Sequence, residues 1–146
     1  MLKDKNIVLG ITGGIACYKV ASLVGPLKKA GANVDVIMTK NATEFVGPLT
    51  FQTLSQNPVV IDMFEPIKTA DVRHISLAEK ADAIIIAPAT ANIIGKVANG
   101  IADDMLSTVI MASTKPVIFA PAMNNNMFLN QIVQENLEHF TKKLII

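Results

Sequence analysis

The chain has 146 residues, a length that favours one domain built around one core. Its formal net charge is +1, and 51% of its residues are hydrophobic, which leaves no basic surface for nucleic acid and no charged tail. One cysteine and two histidines are too few for an internal disulfide or a structural zinc site, and no apolar run reaches the ~18 residues of a membrane span. The lone Cys17, and a start (Lys3-Asp4-Lys5) without a signal-peptide pattern, lead us to expect a cytoplasmic protein. The apolar surplus predicts burial at a subunit interface.

In chain order, Asn6 to Thr12 (NIVLGIT) reads as a buried strand. Gly13-Gly14 follow, and then Ala16, Val20, Leu23, Val24 and Leu27 recur at helical spacing until Lys28, Lys29 and Gly31 close the helix. Asn33 to Met38 is a second strand. Thr39 to Val46 turns into a short helix, Pro48 opens another, and Val59 to Ile61 is a short strand after Asn57-Pro58. Pro66 to Val72 reads as loop and Ser76 to Lys80 as one or two helical turns. Ala83 to Ala87 (AIIIA) is a strand buried on both faces. A helix over Ala91 to Ala98 stops at Gly100, and Asp103 is placed to cap the next, which runs to about Ser113. Val117 to Ala120 is another buried strand. Asn124 to Phe140 reads as one helix with Leu129, Ile132, Val133, Leu137 and Phe140 on one face, and Leu144 to Ile146 as the start of a strand.

Strands that are continuous apolar runs, alternating with helices, predict a parallel sheet covered on both faces. The expected fold is therefore α/β: a Rossmann-like or flavodoxin-like three-layer sandwich with a central parallel sheet, over residues 1–146 as a single domain. Ligands in such folds bind beyond the carboxyl ends of the strands. Three unusual segments fall there: Thr12 to Ala16, Pro88 to Asn92, and Pro121 to Asn126.

Gly13 and Gly14 between a strand and a helix start suit an anion, through free backbone N–H groups and the helix dipole; a tight turn would use them equally. The spacing is not that of a dinucleotide fingerprint. The second strand ends in Thr39, whose hydroxyl tolerates a phosphate where a dinucleotide binder places a carboxylate, so a mononucleotide is favoured. Thr39 and Thr90 are both also good helix caps. Asn92 adds a second polar side chain in an apolar region. His74 is a solvated or structural histidine or, as the residue type whose charge changes nearest neutral pH, the natural proton carrier. His139, late in an amphipathic helix, reads as a surface residue. The Asn124-Asn125-Asn126 run can supply turn formers or ligand contacts.

Four stretches, TGGIACYK, RHISLAEKAD, APATANIIGKVANGIADDML and PAMNNNM, together resemble the homo-oligomeric flavin-containing cysteine decarboxylases. The most specific is the last: the family pattern P-x-M-N-x-x-M-W is matched at Pro121, Met123, Asn124 and Met127, with Phe128 in place of tryptophan. The resemblance implies FMN, held by Gly13, Gly14, Ile15, Thr39, Thr90, Asn92 and the Ala122 backbone. It implies His74 and Asn124 as catalytic residues, with Met123 and Asn124 against the substrate. It further implies a trimer, or a dodecamer of four trimers, with FMN near the subunit interface. Ile93 stands where relatives often carry threonine. The family's substrate flap, with its cysteine, would lie beyond Ile146, and Cys17 in the first helix reads instead as a small buried residue.

The branch resembled acts in coenzyme A biosynthesis, on a phosphorylated acyl-cysteine, 4'-phosphopantothenoylcysteine. Direct loss of CO2 from such a cysteine leaves an unstabilised carbanion. Oxidising the thiol to a thioaldehyde first provides a C=S that accepts the electrons; CO2 loss gives an ene-thiol, and re-reduction gives 4'-phosphopantetheine. The competing readings are a peptidyl-cysteine decarboxylase of the lantibiotic type, a flavin prenyltransferase, a non-catalytic FMN-binding regulatory subunit and a flavodoxin-like electron carrier. The net charge, the absence of Trp and the single Tyr argue against the last.

Overall fold

Four apolar runs form one parallel sheet in the order β2-β1-β3-β4: β1 (Asn6–Ile11), β2 (Asn33–Met38), β3 (Ala83–Ala89) and β4 (Val117–Pro121). The structure is a computed structural model that describes residues 1–64 and 72–141. Eight helices complete the described residues: α1 (Cys17–Lys29), α2 (Lys40–Thr43), α3 (Pro48–Ser55), α4 (Arg73–Lys80), α5 (Ala91–Ala98), α6 (Met105–Ala112), α7 (Asn125–Phe128) and α8 (Gln131–Thr141).

Because side chains alternate along a strand, β1, β2 and β3 each feed two cores, whereas β4, expected to be buried, buries Val117 and Phe119 on one face and leaves Ile118 exposed on the other. Leu9, Ile11, Val34, Val36 and Met38 pack with Cys17, Val20, Val24 and Phe51 of α1 and α3. Val8, Ile84, Ile86 and Phe119 pack on the other face with Ile94, Leu106, Val109 and Phe140 of α5, α6 and α8. Phe119 and Phe140 stack with centroids 4.6 Å apart. The expected three-layer α/β sandwich is thus the observed one. Among the described residues, no helix is long and apolar enough to cross a membrane.

The departures are local and have physical causes. β3 runs two residues past the expected Ala87, and Ala89 pairs with Pro121 after an irregularity in the β3–β4 ladder. α4 begins at Arg73 rather than Ser76, because the amides of Ile75 and Ser76 both bond to the Val72 carbonyl; His74 therefore sits inside a helix, not ahead of one. The cap of α6 is Asp104, not Asp103. Its carboxylate accepts from the Ser107 amide at 2.8 Å while the Ser107 hydroxyl bonds back to the Asp104 amide, a reciprocal capping box. The helix expected over Asn124 to Phe140 is two helices. Asn130 breaks it by accepting the Ile132 amide on its own side chain, as turn asparagines do. Of the expected apolar face, Val133 and Phe140 are buried and Leu137 half-buried, while Leu129 and Ile132 are exposed. Val60 makes a single parallel bridge to Ile37 in place of a strand. The loop expected over Pro66 to Val72 (bar its last residue) and the strand expected at Leu144 lie outside the described residues.

Candidate functional site at the carboxyl edge of the sheet

The strand order reverses between β1 and β3: β2 lies to one side of β1, and β3 and β4 lie to the other. The loops after β1 and β3 therefore leave in opposite directions and open a crevice between them. A cleft of about 1010 Å³ lies there, at the top of the ~300–1,000 Å³ range of small-molecule sites. Gly13, Gly14 and Ile15 line it from β1, Thr39 from β2, Thr90 and Asn92 from β3, and Ala122, Met123 and Asn124 from β4. Nine residues expected from sequence are thus brought to one cleft.

α1 starts without a side-chain cap, since Ala16 has nothing to give. The loop amides ahead of Cys17 are left for a ligand, at the positive end of a 13-residue helix. Thr39 and Thr90 do cap: their hydroxyl oxygens accept from Ala42 at 3.2 Å and Ile93 at 3.3 Å. Capping uses an oxygen lone pair and leaves the O–H hydrogen able to donate into the cleft. Asn124 repeats this with an amide. Its Oδ1 accepts from the Asn126 amide at 2.9 Å, so its NH2 is the part free to meet a substrate, and through that NH2 alone it acts as a donor. The Ala122 amide bonds to the Ala89 carbonyl at 3.1 Å, which fixes the loop after β4 against β3.

His74 is the exception. It is half-buried on α4 and is not among the residues that line the cleft of its own chain.

The cleft also holds an ion cluster not anticipated as part of the site. Lys96, one turn beyond Asn92 on α5, lies 2.7 Å from Asp103 and 3.4 Å from Asp104, and all three line the cleft. The hydrogen bond with Asp103 raises Lys96 above its ordinary pKa, against burial, with Asp104 adding to the rise. Burial pushes the Asp104 carboxyl up, but hydrogen bonds from Ser107 and the charge of Lys96 outweigh it and hold the group below the ordinary carboxylate value. The i, i+4 spacing from Asn92 to Lys96 was the available signal.

Uncapped glycine-loop amides at the switch point of a parallel sheet are the arrangement found in α/β nucleotide-cofactor proteins. The chain belongs to the Flavoprotein family, whose pattern matches residues 1–146. It is 53% identical over 137 residues to the coenzyme A biosynthesis bifunctional protein CoaBC of Bacillus subtilis (strain 168), covering 94% of this chain and 34% of that protein. It spans about a third of the length of the curated relatives it matches. Among solved structures, it resembles the FMN-dependent cysteine decarboxylase SpaF with a TM-score of 0.93 and 29% identity, over 99% of this chain and 83% of that one. A cysteine variant of PPC decarboxylase complexed with pantothenoylaminoethenethiol matches with a TM-score of 0.78 and 28% identity, over 94% and 78%.

Proposed function

We propose that residues 1–146 are a single FMN-binding domain that decarboxylates 4'-phosphopantothenoylcysteine to 4'-phosphopantetheine in coenzyme A biosynthesis, in the cytoplasm. The observation that carries this reading is the convergence of Gly13-Gly14, Thr39, Thr90, Asn92 and the Pro121–Asn124 loop on one cleft, in a chain 53% identical to part of CoaBC. The residues fit the cofactor: uncapped amides at the start of α1 suit a phosphate, and neutral hydroxyl and amide donors suit ring and ribityl oxygens.

In this reading Gly13, Gly14 and Ile15 offer backbone N–H groups to the phosphate, and Thr39, Thr90, Asn92 and the Ala122 backbone hold the rest of the cofactor. Bound FMN supplies reversible two-electron acceptance, so that the thiol-bearing carbon can be oxidised before CO2 leaves and restored afterwards. Asn124 donates its NH2 to the substrate carboxylate. A neutral donor orients that group without an ion pair that would over-stabilise the ground state. Met123 packs beside it. His74 holds and moves the proton of the reacting thiol or carbon, a role worth ~10²–10⁴-fold. Since it stands outside its own chain's cleft, we assign it to the site of a neighbouring copy in a trimer, alone or in a dodecamer of four trimers.

A second reading, a peptidyl-cysteine decarboxylase, is favoured by the TM-score of 0.93 to SpaF; the higher sequence identity to CoaBC favours the first. An anaerobic mix with 4'-phosphopantothenoylcysteine, following flavin absorbance and CO2 together, separates them. Flavin reduction with this substrate supports our reading, and no response to it while a cysteine-terminated peptide is turned over overturns it.

A further inference from the structure

The β1–β3 ladder runs from Ile7↔Ala83 to Gly10↔Ile86 and stops. Beyond that point the two strands must part, or no crevice could open between them. Yet the loops that follow carry the opposite walls of the cleft, and a ligand spanning both needs them at a fixed separation. One side chain bridges the gap. Thr12, 2% exposed, donates its hydroxyl hydrogen to the Pro88 carbonyl and accepts the Thr90 amide on the same oxygen at 3.1 Å. Its own carbonyl is held from the other side by the Cys17 thiol at 3.0 Å. The hydroxyl thus replaces the missing ladder rungs, and its hydrogen-bonding capacity is used in both directions.

We propose that Thr12 is a positioning residue for the cofactor. It sets the distance between the Gly13–Ile15 amides and the Thr90–Asn92 wall, acting through the backbone of Thr90, whose own hydroxyl caps α5. The proposal rests on the FMN reading given above, but the staple is testable without flavin. Neither neighbouring strand offers another group to the Thr90 amide through a ladder, since the β3–β4 register shifts between Ile86 and Ala89.

The test compares Thr12→Val with Thr12→Ser by amide hydrogen exchange in the flavin-free protein and by FMN titration. Thr12→Val removes both bonds, and the loss of buried partners predicts roughly tenfold or faster exchange at Thr90 and Ile93. Leu9 and Ile84, deep in the sheet, keep their wild-type rates. Thr12→Ser restores the slow rates. FMN binding weakens by a similar factor in Thr12→Val and recovers in Thr12→Ser. Equal acceleration at Leu9 and Ile84 would reduce Thr12 to a general stabiliser, and unchanged Thr90 exchange would remove the staple; either overturns the proposal. Thr12→Ala is read the same way if valine is rejected by the core. A wild-type protein that takes up no FMN would overturn the proposed function, while the exchange rates would still decide the staple.

Discussion

Gly13→Ala tests the most sterically demanding contact in the cleft. A Cβ at Gly13 would lie 2.5 Å from Asn41 Cβ, 3.0 Å from its carbonyl carbon and 3.3 Å from its Cα. Carbon atoms rest at ~3.5–4.0 Å, so Asn41 would have to retreat by about 1 Å. Two of the three obstructing atoms are backbone, which no rotamer change can move. Asn41 lies in α2, directly after the Thr39 cap that lines the cleft. Overpacking of this kind costs about 1–3 kcal/mol, roughly a 5- to 150-fold shift in the unfolding equilibrium. Gly14→Ala is the control: its Cβ meets only Thr90 Cγ2, at 3.9 Å, an ordinary contact. It should stay within about 0.5 kcal/mol of wild type and still weaken FMN, because its methyl enters the wall of amides. Urea unfolding of the flavin-free proteins, compared at constant slope, reads the difference. A Gly13→Ala midpoint equal to wild type, or a Gly14→Ala midpoint that falls as far as that of Gly13→Ala, would refute the steric reasoning.

Asp104→Ala removes the cap and box of α6 and should cost about 0.5–2 kcal/mol in denaturant unfolding. The folded-state pKa of Asp104 is lowered, by bonds from Ser107 and the charge of Lys96 that outweigh burial. Its contribution is therefore present above the ordinary carboxylate value and is lost as pH falls through the lowered one. The melting-temperature gap between wild type and Asp104→Asn should shrink from neutral pH to about pH 3; a constant gap would count against this assignment. His74→Asn should bind FMN normally and lose decarboxylation by ~10²-fold or more. Mixing it with Asn124→Ala under conditions that exchange subunits should recover part of the activity if each cleft draws His74 from a neighbour; no recovery would place the histidine within its own chain's site.

Much of this was legible in the sequence because it depends on period and punctuation. The runs VLGI, VDVI and AIII are too apolar for a one-sided sheet, and glycines or caps mark where each strand yields to a helix. The same logic places the segments Thr12 to Ala16, Pro88 to Asn92 and Pro121 to Asn126, with Thr39, at one edge of the sheet, and the resemblance to the decarboxylases picks the nine residues within them. What stayed hidden was set by competition between near-equal neighbours. Asp103 and Asp104 both offer a cap and both pair with Lys96; Asp104 takes the cap, where Ser107 closes the reciprocal box. Asn130 is one polar residue within a helical pattern, and no periodicity reveals that its side chain takes the Ile132 amide. Thr12 reads as the end of a strand, since its partners lie 76 and 78 residues away.

The caps around the cleft suggest why their chemistry is what it is. Thr39, Thr90 and Asn124 each start a helix with a neutral group that accepts from the backbone and retains a donor. Aspartate caps a helix at least as well as threonine, but it has no hydrogen to give and adds a charge. Asp104, an aspartate cap at the cleft, has Lys96 at 3.4 Å to offset it. Thr90→Asp should accordingly keep α5 and the fold while failing at the ligand. A carboxylate about 4 Å from an anionic or electron-rich group costs from ~1 kcal/mol in water to ~4 kcal/mol at an effective dielectric of ~20. FMN affinity should thus fall by at least about fivefold, with a loss that shrinks as salt is added. Unfolding midpoints at wild-type values alongside weakened FMN binding are the expected pair of results. Wild-type FMN affinity in Thr90→Asp would mean that the hydroxyl caps α5 and does nothing more.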